Sequence, residues 1–274
     1  MKISIITATY NSAETLPQTL ESILSQTYDD YEVIVVDGLS TDDTMKIVRH
    51  YAGRFSGKLR FVSEKDRGLY DAMNKGLQMA EGDVVGILNS DDFYTSDTIL
   101  RQVADALQTT DVDAVYGDVH YVSQNNTQKI LRHYSSRFFR PWMMRLGFMP
   151  AHPSFYCKRR LYLRHGLFDL SYKVAADFEQ LLRLIFIHRI STRYLPLDFV
   201  TMRVGGASSS GWHSHKRIMA DHLRALRENK VYSNIGLLAI RYLYKIGEVI
   251  TTRSLMAVKT LTARTSRPTH VGIE

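Results

Sequence analysis

The chain has 274 residues, 45% of them hydrophobic, which is enough for one large domain with a buried core and too apolar for a disordered protein. Its formal net charge of +7 is unevenly distributed: residues 1–118 carry 10 Lys and Arg against 20 Asp and Glu, whereas residues 119–168 carry 9 basic side chains and no acidic one. A single cysteine, Cys157, excludes an internal disulfide and a thiolate metal cluster, and no stretch reaches the roughly 18 uninterrupted apolar residues of a membrane span.

The predicted elements alternate from the start. KISIITATY is a short apolar run ending in polar residues, as a buried strand does at its carboxyl end, and it lacks the cleavage pattern of a secretory signal. SAETLPQTLESILSQ follows with Leu16, Leu20, Ile23 and Leu24 at helical spacing and Ser12 as the expected N-cap. YEVIVVDG predicts a second strand, and STDDTMKIVRHYA a second helix opened by Ser40 or Thr41. KLRFVSEKDRG, LYDAMNKGLQMA and GDVVGILNSDD predict a third strand, a third helix and a fourth strand. DTILRQVADALQ reads as a helix, and VDAVYGDVHYV with KILRHY as a hairpin across SQNNTQ. The basic, aromatic stretch 135–156 has no clean period and reads as a loop with short helical pieces. DFEQLLRLIFIHR predicts a helix, ISTRYLPLDFVTMRV a strand and GGASSSG a break. The alternation implies an α/β fold with a Rossmann-like, mostly parallel central sheet flanked by helices. The expected division is a main domain over 1–212, split near 118 into two halves, then a basic helical extension over 213–259 and a flexible tail over 260–274.

In open α/β sheets ligands bind beyond the carboxyl ends of the strands, so Thr7 to Asn11, Asp37 to Ser40, Glu64 to Gly68 and Asn89 to Asp92 are expected to line one crevice. Asp37, ending a strand, suits a ring N–H or a ribose hydroxyl. TATYNSAET contains no glycine, which removes the G-x-G-x-x-G turn of a nicotinamide dehydrogenase, and the G-x-x-x-x-G-K-[ST] phosphate loop is absent too. An acidic half without a glycine-rich cradle needs a divalent cation to hold a diphosphate. The adjacent carboxylates Asp91 and Asp92, which repel each other and resist desolvation, are its expected anchors.

TATYNSAETLPQTLESILSQTYDDYEVIVVDGLSTDDT and SEKDRGLYDAMNKGLQMAEGDVVGILNSDDFY resemble, in order and over about 120 residues, the family 2 inverting glycosyltransferases of GT-A fold, especially bacterial members that build capsular polysaccharide, exopolysaccharide or lipopolysaccharide. That resemblance implies that Thr7, Thr9, Tyr10, Asn11 and Asp37 surround the nucleotide base, usually uracil, and that Asp66, Arg67 and Asn74 flank the ribose and donor sugar. It makes Asn89-Ser90-Asp91 the D-x-D segment, with Asn in place of the first Asp. Asp91 is then the main ligand of Mn2+ or Mg2+, and Asp92 supports it. AADFEQLLRL resembles the acidic catalytic segment, which implies Asp177 as the base that takes the acceptor hydroxyl's proton, with Glu179 as its competitor. His152, in MPAHPSFY, matches the acceptor side. His213 and His215, after the Gly-Ser break, are candidates to reach the metal or diphosphate, and Phe138, Phe139 and Trp142 to stack on sugar faces.

Processive members carry a Q-x-x-R-W signature that this chain lacks. The implied activity is transfer of a single sugar from a nucleotide-sugar donor, UDP-linked by expectation, to a glycan or lipid-linked oligosaccharide acceptor, in the cytoplasm at the inner face of the cell membrane. IGLLAIRYLYKIGEVI has the composition of a segment lying on an anionic bilayer, and packing on the main domain explains it equally well. No nucleic acid is expected as partner. Two alternatives fit the residues: a non-catalytic nucleotide-sugar-binding protein on the same fold, and a nucleic-acid-binding protein using the basic half.

Overall fold

The computed structural model describes residues 1–124, 126–205 and 211–241, the last stretch with side chains from 216 onward. Its centre is a sheet that begins with four parallel strands in the order β3 (Leu59–Ser63), β2 (Tyr31–Asp37), β1 (Ile3–Thr9), β4 (Val84–Ile87). Every residue of β1, β2 and β4 is buried, which is why those stretches are continuous apolar runs with no alternation. One face packs Ile3, Ile5, Val33 and Val35 against α1 (Leu16–Leu24), α2 (Thr44–Arg54) and, after α3 (Leu69–Met79), α4 (Ile99–Thr109). The other face packs Ile6, Ile34 and Val36 against Met73 and Leu77 of α3.

Beyond β4 the strand directions become mixed. Two strands too short to show in the pattern, β5 (Phe93–Tyr94) and β8 (Tyr156–Lys158), make this possible. β8 runs antiparallel to both β4 and β6 (Ala114–Ser123), while β6 forms the expected hairpin with β7 (Asn126–Tyr134). β9 (Thr192–Arg203) lies parallel to β6 and antiparallel to β5, so the last strand ends beside the exit of β4. The basic stretch contains two short 3-10 turns, Pro141–Leu146 and His152–Ser154. After α5 (Arg159–His165), α6 (Ala176–Leu181) continues into a π-turn, Leu182–Ile187, and α7 (Gly211–Glu228) packs on α6, with Phe178 stacked on His222 at 3.8 Å.

Two helix starts differ from expectation. Ser12 does not cap α1, which begins only at Leu16, with Pro17 in its first turn, and α2 begins at Thr44 rather than beside Ser40 or Thr41. The side chains proposed as caps face across the crevice instead. At the opposite end of the sheet Glu32 is buried and accepts from the Ser4 hydroxyl at 2.6 Å, the Glu81 N–H at 2.7 Å and the Arg60 guanidinium at 2.8 Å. The amino end of the sheet is thereby tied together by charge, and the carboxyl end is left for ligands. Among the described residues no helix is long and apolar enough to cross a membrane.

Candidate active site

The crevice rim is built by cross-links between the loops that follow β1, β2 and β4. Asp37 is fully buried; its carboxylate accepts from the Ser40 N–H at 3.0 Å, from the Ser40 hydroxyl and from the Ser63 hydroxyl at 2.6 Å. It forms the floor of the rim, with Ser40 passing the order on to Asn11, whose N–H donates to Ser40 Oγ at 2.8 Å. Asn11, in the left-handed region at φ 48°, accepts from the Thr41 N–H at 2.8 Å. Tyr10 beside it is 61% exposed and free to meet a planar ligand. The hydroxyls of Thr7 and Thr9 are buried without a hydrogen-bond partner among the described residues. Asp66 packs so closely over Gly38 that a Cβ there would stand 2.6 Å from its Oδ2, which explains glycine at that turn. Arg67 is exposed and pairs loosely with Asp71 at 3.5 Å.

Asn74 is not part of the rim. It is buried, and its amide clasps the backbone of Phe168 in both directions, at 2.8 Å and 2.9 Å. Its place in a motif suggested ligand contact, whereas its helical position aims it at the segment of the same chain around Phe168.

At the exit of β4 the Ser12 and Ser90 hydroxyls meet at 2.8 Å, and Thr19 donates to the carbonyls of Ser90 and Asp92 at 3.0 Å and 2.7 Å. This holds the turn from Asn89 to Asp92 in place. Burial pushes the Asp91 carboxyl up. Asp92, only 2% exposed, is pushed well above the usual carboxylate range by burial and by Asp91 beside it, with Arg203 offsetting this in part. Asn89 Oδ1 is buried with no partner among the described residues. Two adjacent desolvated carboxyls and an orphaned amide oxygen fit, by their chemistry, a hard cation that completes its shell with phosphate and water. Among the described residues no three His, Cys, Asp or Glu side chains converge, so the fit is to a cation shared with a ligand rather than one caged by protein.

Arg203, which the pattern did not single out, closes this corner: its guanidinium donates to the Asp91 carbonyl and to Gln18 Oε1, and lies over the Phe93 ring at 5.2 Å. The sequence separation of 112 residues hid it, and only the β5–β9 pairing brings it here.

Across the crevice Asp177 lies in the first turn of α6 and is partly exposed. Its Oδ1 accepts from the Phe178 N–H at 2.9 Å and lies 3.3 Å from the Tyr70 hydroxyl, whose single proton it shares with the closer Val174 carbonyl. Tyr70 was missed, although it lies inside LYDAMNKG; its hydroxyl is held well above the usual range by burial and by Asp177. Glu179, the competing base, is buried and fully paired: Arg183 approaches it at 2.8 Å and 3.0 Å and Asn229 at 3.3 Å. Through Arg183, which also donates to the Gly166 and Leu167 carbonyls, it ties α6 to the residues before it.

His152 lies within electrostatic reach of Asp177. Burial pushes its imidazole down and Asp177 pulls it the other way. It lines a cavity of about 10 Å³, room for one water, with Ile87, Phe155, Tyr162 and Gln180. Phe138 and Trp142 are 67% and 59% exposed, whereas Phe139 is a core residue set edge-on to Tyr116 at 5.9 Å and is unavailable to a sugar. His213 and His215 fall in α7, but their side chains lie outside the described residues.

The family model for glycosyl transferase family 2 matches residues 4–167, a span holding the whole crevice rim. The chain belongs to glycosyl transferase family 2. It is accordingly a glycosyltransferase, and its sheet is that of the GT-A fold. Similarity extends beyond the matched span: a PGL/p-HBAD biosynthesis glycosyltransferase of Mycobacterium bovis is 35% identical over 196 residues, covering 70% of this chain and 73% of that one. A putative glycosyltransferase EpsE of Bacillus subtilis is 36% identical over 104 residues, covering 38% of this chain and 37% of its own. Among solved structures, S. aureus TarS 1-349 in complex with UDP-GlcNAc superposes with a TM-score of 0.63 at 22% identity, covering 82% of this chain and 66% of that one. The chain spans 40% of the longer TarS structure. A mannosyltransferase from Pyrobaculum calidifontis in complex with GDP-Man and Mn2+ superposes with a TM-score of 0.58 at 20% identity, covering 93% of this chain and 80% of its own.

Proposed function

We propose that this family 2 glycosyltransferase is an inverting, metal-dependent, non-processive enzyme. It moves a sugar from a UDP-linked donor to a glycan acceptor carried on a lipid, in the assembly of a bacterial surface polysaccharide at the inner face of the cell membrane. The observation that carries the reading is the division of labour between two carboxylates of α6. Asp177 is held by Tyr70 and partly open to the crevice, while Glu179 is locked by Arg183. The UDP-GlcNAc complex of TarS and the Mn2+ complex of the mannosyltransferase support the donor class and the cation, and the name of the Mycobacterium relative supports a biosynthetic glycosyl transfer.

In this mechanism Tyr10, Asn11 and the Asp37 floor receive the base and ribose, and Asp66 and Arg67 flank the donor sugar. Asp177 accepts the proton of the acceptor hydroxyl as that oxygen attacks the anomeric carbon, and the bond from that carbon to the diphosphate breaks on the opposite face. One displacement inverts the centre. A divalent cation held by Asp91 and Asp92, with Asn89 Oδ1 beside them, would neutralise the charge gathering on the leaving diphosphate. Arg203 supplies a fixed positive charge at the same corner.

The test is donor hydrolysis against a panel of nucleotide sugars with Mn2+, Mg2+ or a chelator, for the native chain and Asp177→Asn. Turnover of one UDP-sugar, lost with the chelator and in the variant while UDP still binds, is expected. Undiminished turnover in Asp177→Asn would remove the proposed base, and salt-sensitive binding of oligonucleotides without turnover of any nucleotide sugar would favour a nucleic-acid partner.

A further inference from the structure

We propose that one surface, formed jointly by the 3-10 turn Pro141–Leu146, the end of the π-turn and the segment after α7, docks on an anionic lipid bilayer. It deepens the reading of a lipid-borne acceptor by naming the face that meets the membrane. Three segments distant in sequence are fastened together there. The Ser233 hydroxyl donates to the Arg145 carbonyl at 2.6 Å, Leu238 is fully buried against Gly147, and the Arg145 guanidinium lies over the Phe186 ring at 5.5 Å. These anchors turn the other large side chains outward. Trp142 is 59% exposed, Tyr232 72% and Ile235 65%, with Phe138, Ile187 and Ile240 also in water. Large apolar side chains exposed on segments fastened to one another mark an interaction site.

Charge identifies the partner. Arg137, Arg140 and Arg145 are all exposed, Arg137 lying over Phe138 at 5.6 Å, and Arg189, Arg227 and Lys230 are exposed on the adjoining segments. Residues 119–168 and 229–247 contain no acidic side chain, and the nearby Glu228 is occupied by Arg224 at 2.8 Å. Beside Tyr232 an open groove of about 350 Å³ has Leu223, Leu226 and Val231 on its floor and Arg227 and Lys230 at its rim, an apolar slot flanked by cations. Aromatic rings and isoleucines ringed by arginine and lysine are the composition of a bilayer interface, where apolar groups enter the acyl boundary and cations meet phosphate. A nucleic acid would use the rings and cations but leave Ile187, Ile235 and Ile240 in water.

The experiment is co-sedimentation of the full chain with vesicles of phosphatidylglycerol and phosphatidylcholine, free of any glycan acceptor. It therefore reads the surface alone, while donor hydrolysis in solution reads catalysis separately. The native chain is expected to bind anionic vesicles at least tenfold better than pure phosphatidylcholine, less so as salt rises. The double variant Tyr232→Ser/Ile235→Ser, and separately Arg137→Glu/Arg140→Glu, are expected to lose at least tenfold in binding, with the Tyr232/Ile235 variant keeping donor hydrolysis. Failure of the native chain to bind anionic vesicles, unchanged binding in both variants, or preference for a single-stranded oligonucleotide over vesicles would overturn the proposal.

Discussion

The sharpest contrast the structure offers is between Asp177 and Glu179, two carboxylates on one short helix with opposite expected behaviour. Glu179→Gln removes the charge from a buried carboxylate paired with a mostly buried guanidinium, at 8% and 16% side-chain exposure, and leaves Arg183 with only the backbone carbonyls of Gly166 and Leu167 at 2.8 Å and 2.9 Å, that of His165, the Gln180 side-chain oxygen and a neutral amide. Breaking one partner of a buried pair costs about 3–5 kcal/mol, and the carbonyls that still accept from Arg183 put the expected loss near the lower end, about 3 kcal/mol. For a domain of this size that corresponds to a fall in Tm of roughly 6–12 °C. Asp177→Asn keeps an oxygen to accept from Phe178 and Tyr70, so its Tm should move by less than about 4 °C. Its turnover, however, should fall by about 10²–10⁴, because an amide cannot take a proton. Thermal melts followed by circular dichroism, with initial rates of UDP release measured well below both transitions, separate the two effects. If Glu179→Gln melted with the native chain yet abolished turnover, the assignment of base and brace would be reversed.

Other expectations follow from single contacts. For Glu32, burial raises the carboxyl, but Ser4, the Glu81 N–H, Arg60 and Lys2 outweigh it and bring it down to about 2. A depressed carboxylate stabilises the fold above its unfolded value near 4.5 and loses that contribution as pH falls toward 2, on the order of 3 kcal/mol in all; Glu32→Gln should therefore flatten the acid limb of an unfolding profile between those limits. Tyr70→Phe removes the hydroxyl that steadies Asp177 and should lower kcat roughly tenfold with donor KM unchanged, a split that general loosening of the crevice would not produce. Gly86→Ala would set a Cβ 2.2 Å from the buried Tyr156 ring and should destabilise the fold by about 1–3 kcal/mol or more in urea titration, without altering donor specificity at temperatures where it remains folded.

The sequence by itself determined the parallel half of the sheet and the crevice at its carboxyl end. Continuous apolar runs forced β1, β2 and β4 into a doubly covered parallel sheet, and parallel strands joined by helices must present their carboxyl ends together, so Asn11, Asp37 and the Asn89–Asp92 turn had to share a crevice. Local pattern carries that much because each strand and its helix are neighbours in the chain. In the second half the β6–β7 hairpin, the helix carrying Asp177 and β9 were legible, but the order of the sheet was not, since β5 and β8 are two and three residues long and no periodicity fits into so few. Tertiary pairing alone decided that Arg203 stands at Asp91, that Tyr70 reaches Asp177, that Glu179 is buried against Arg183, and that Asn74 and Phe139 serve the core. The reason is range: which way a polar side chain faces, and what meets it there, depends on segments a hundred residues away, and those contacts leave no trace in the spacing of the residues beside it.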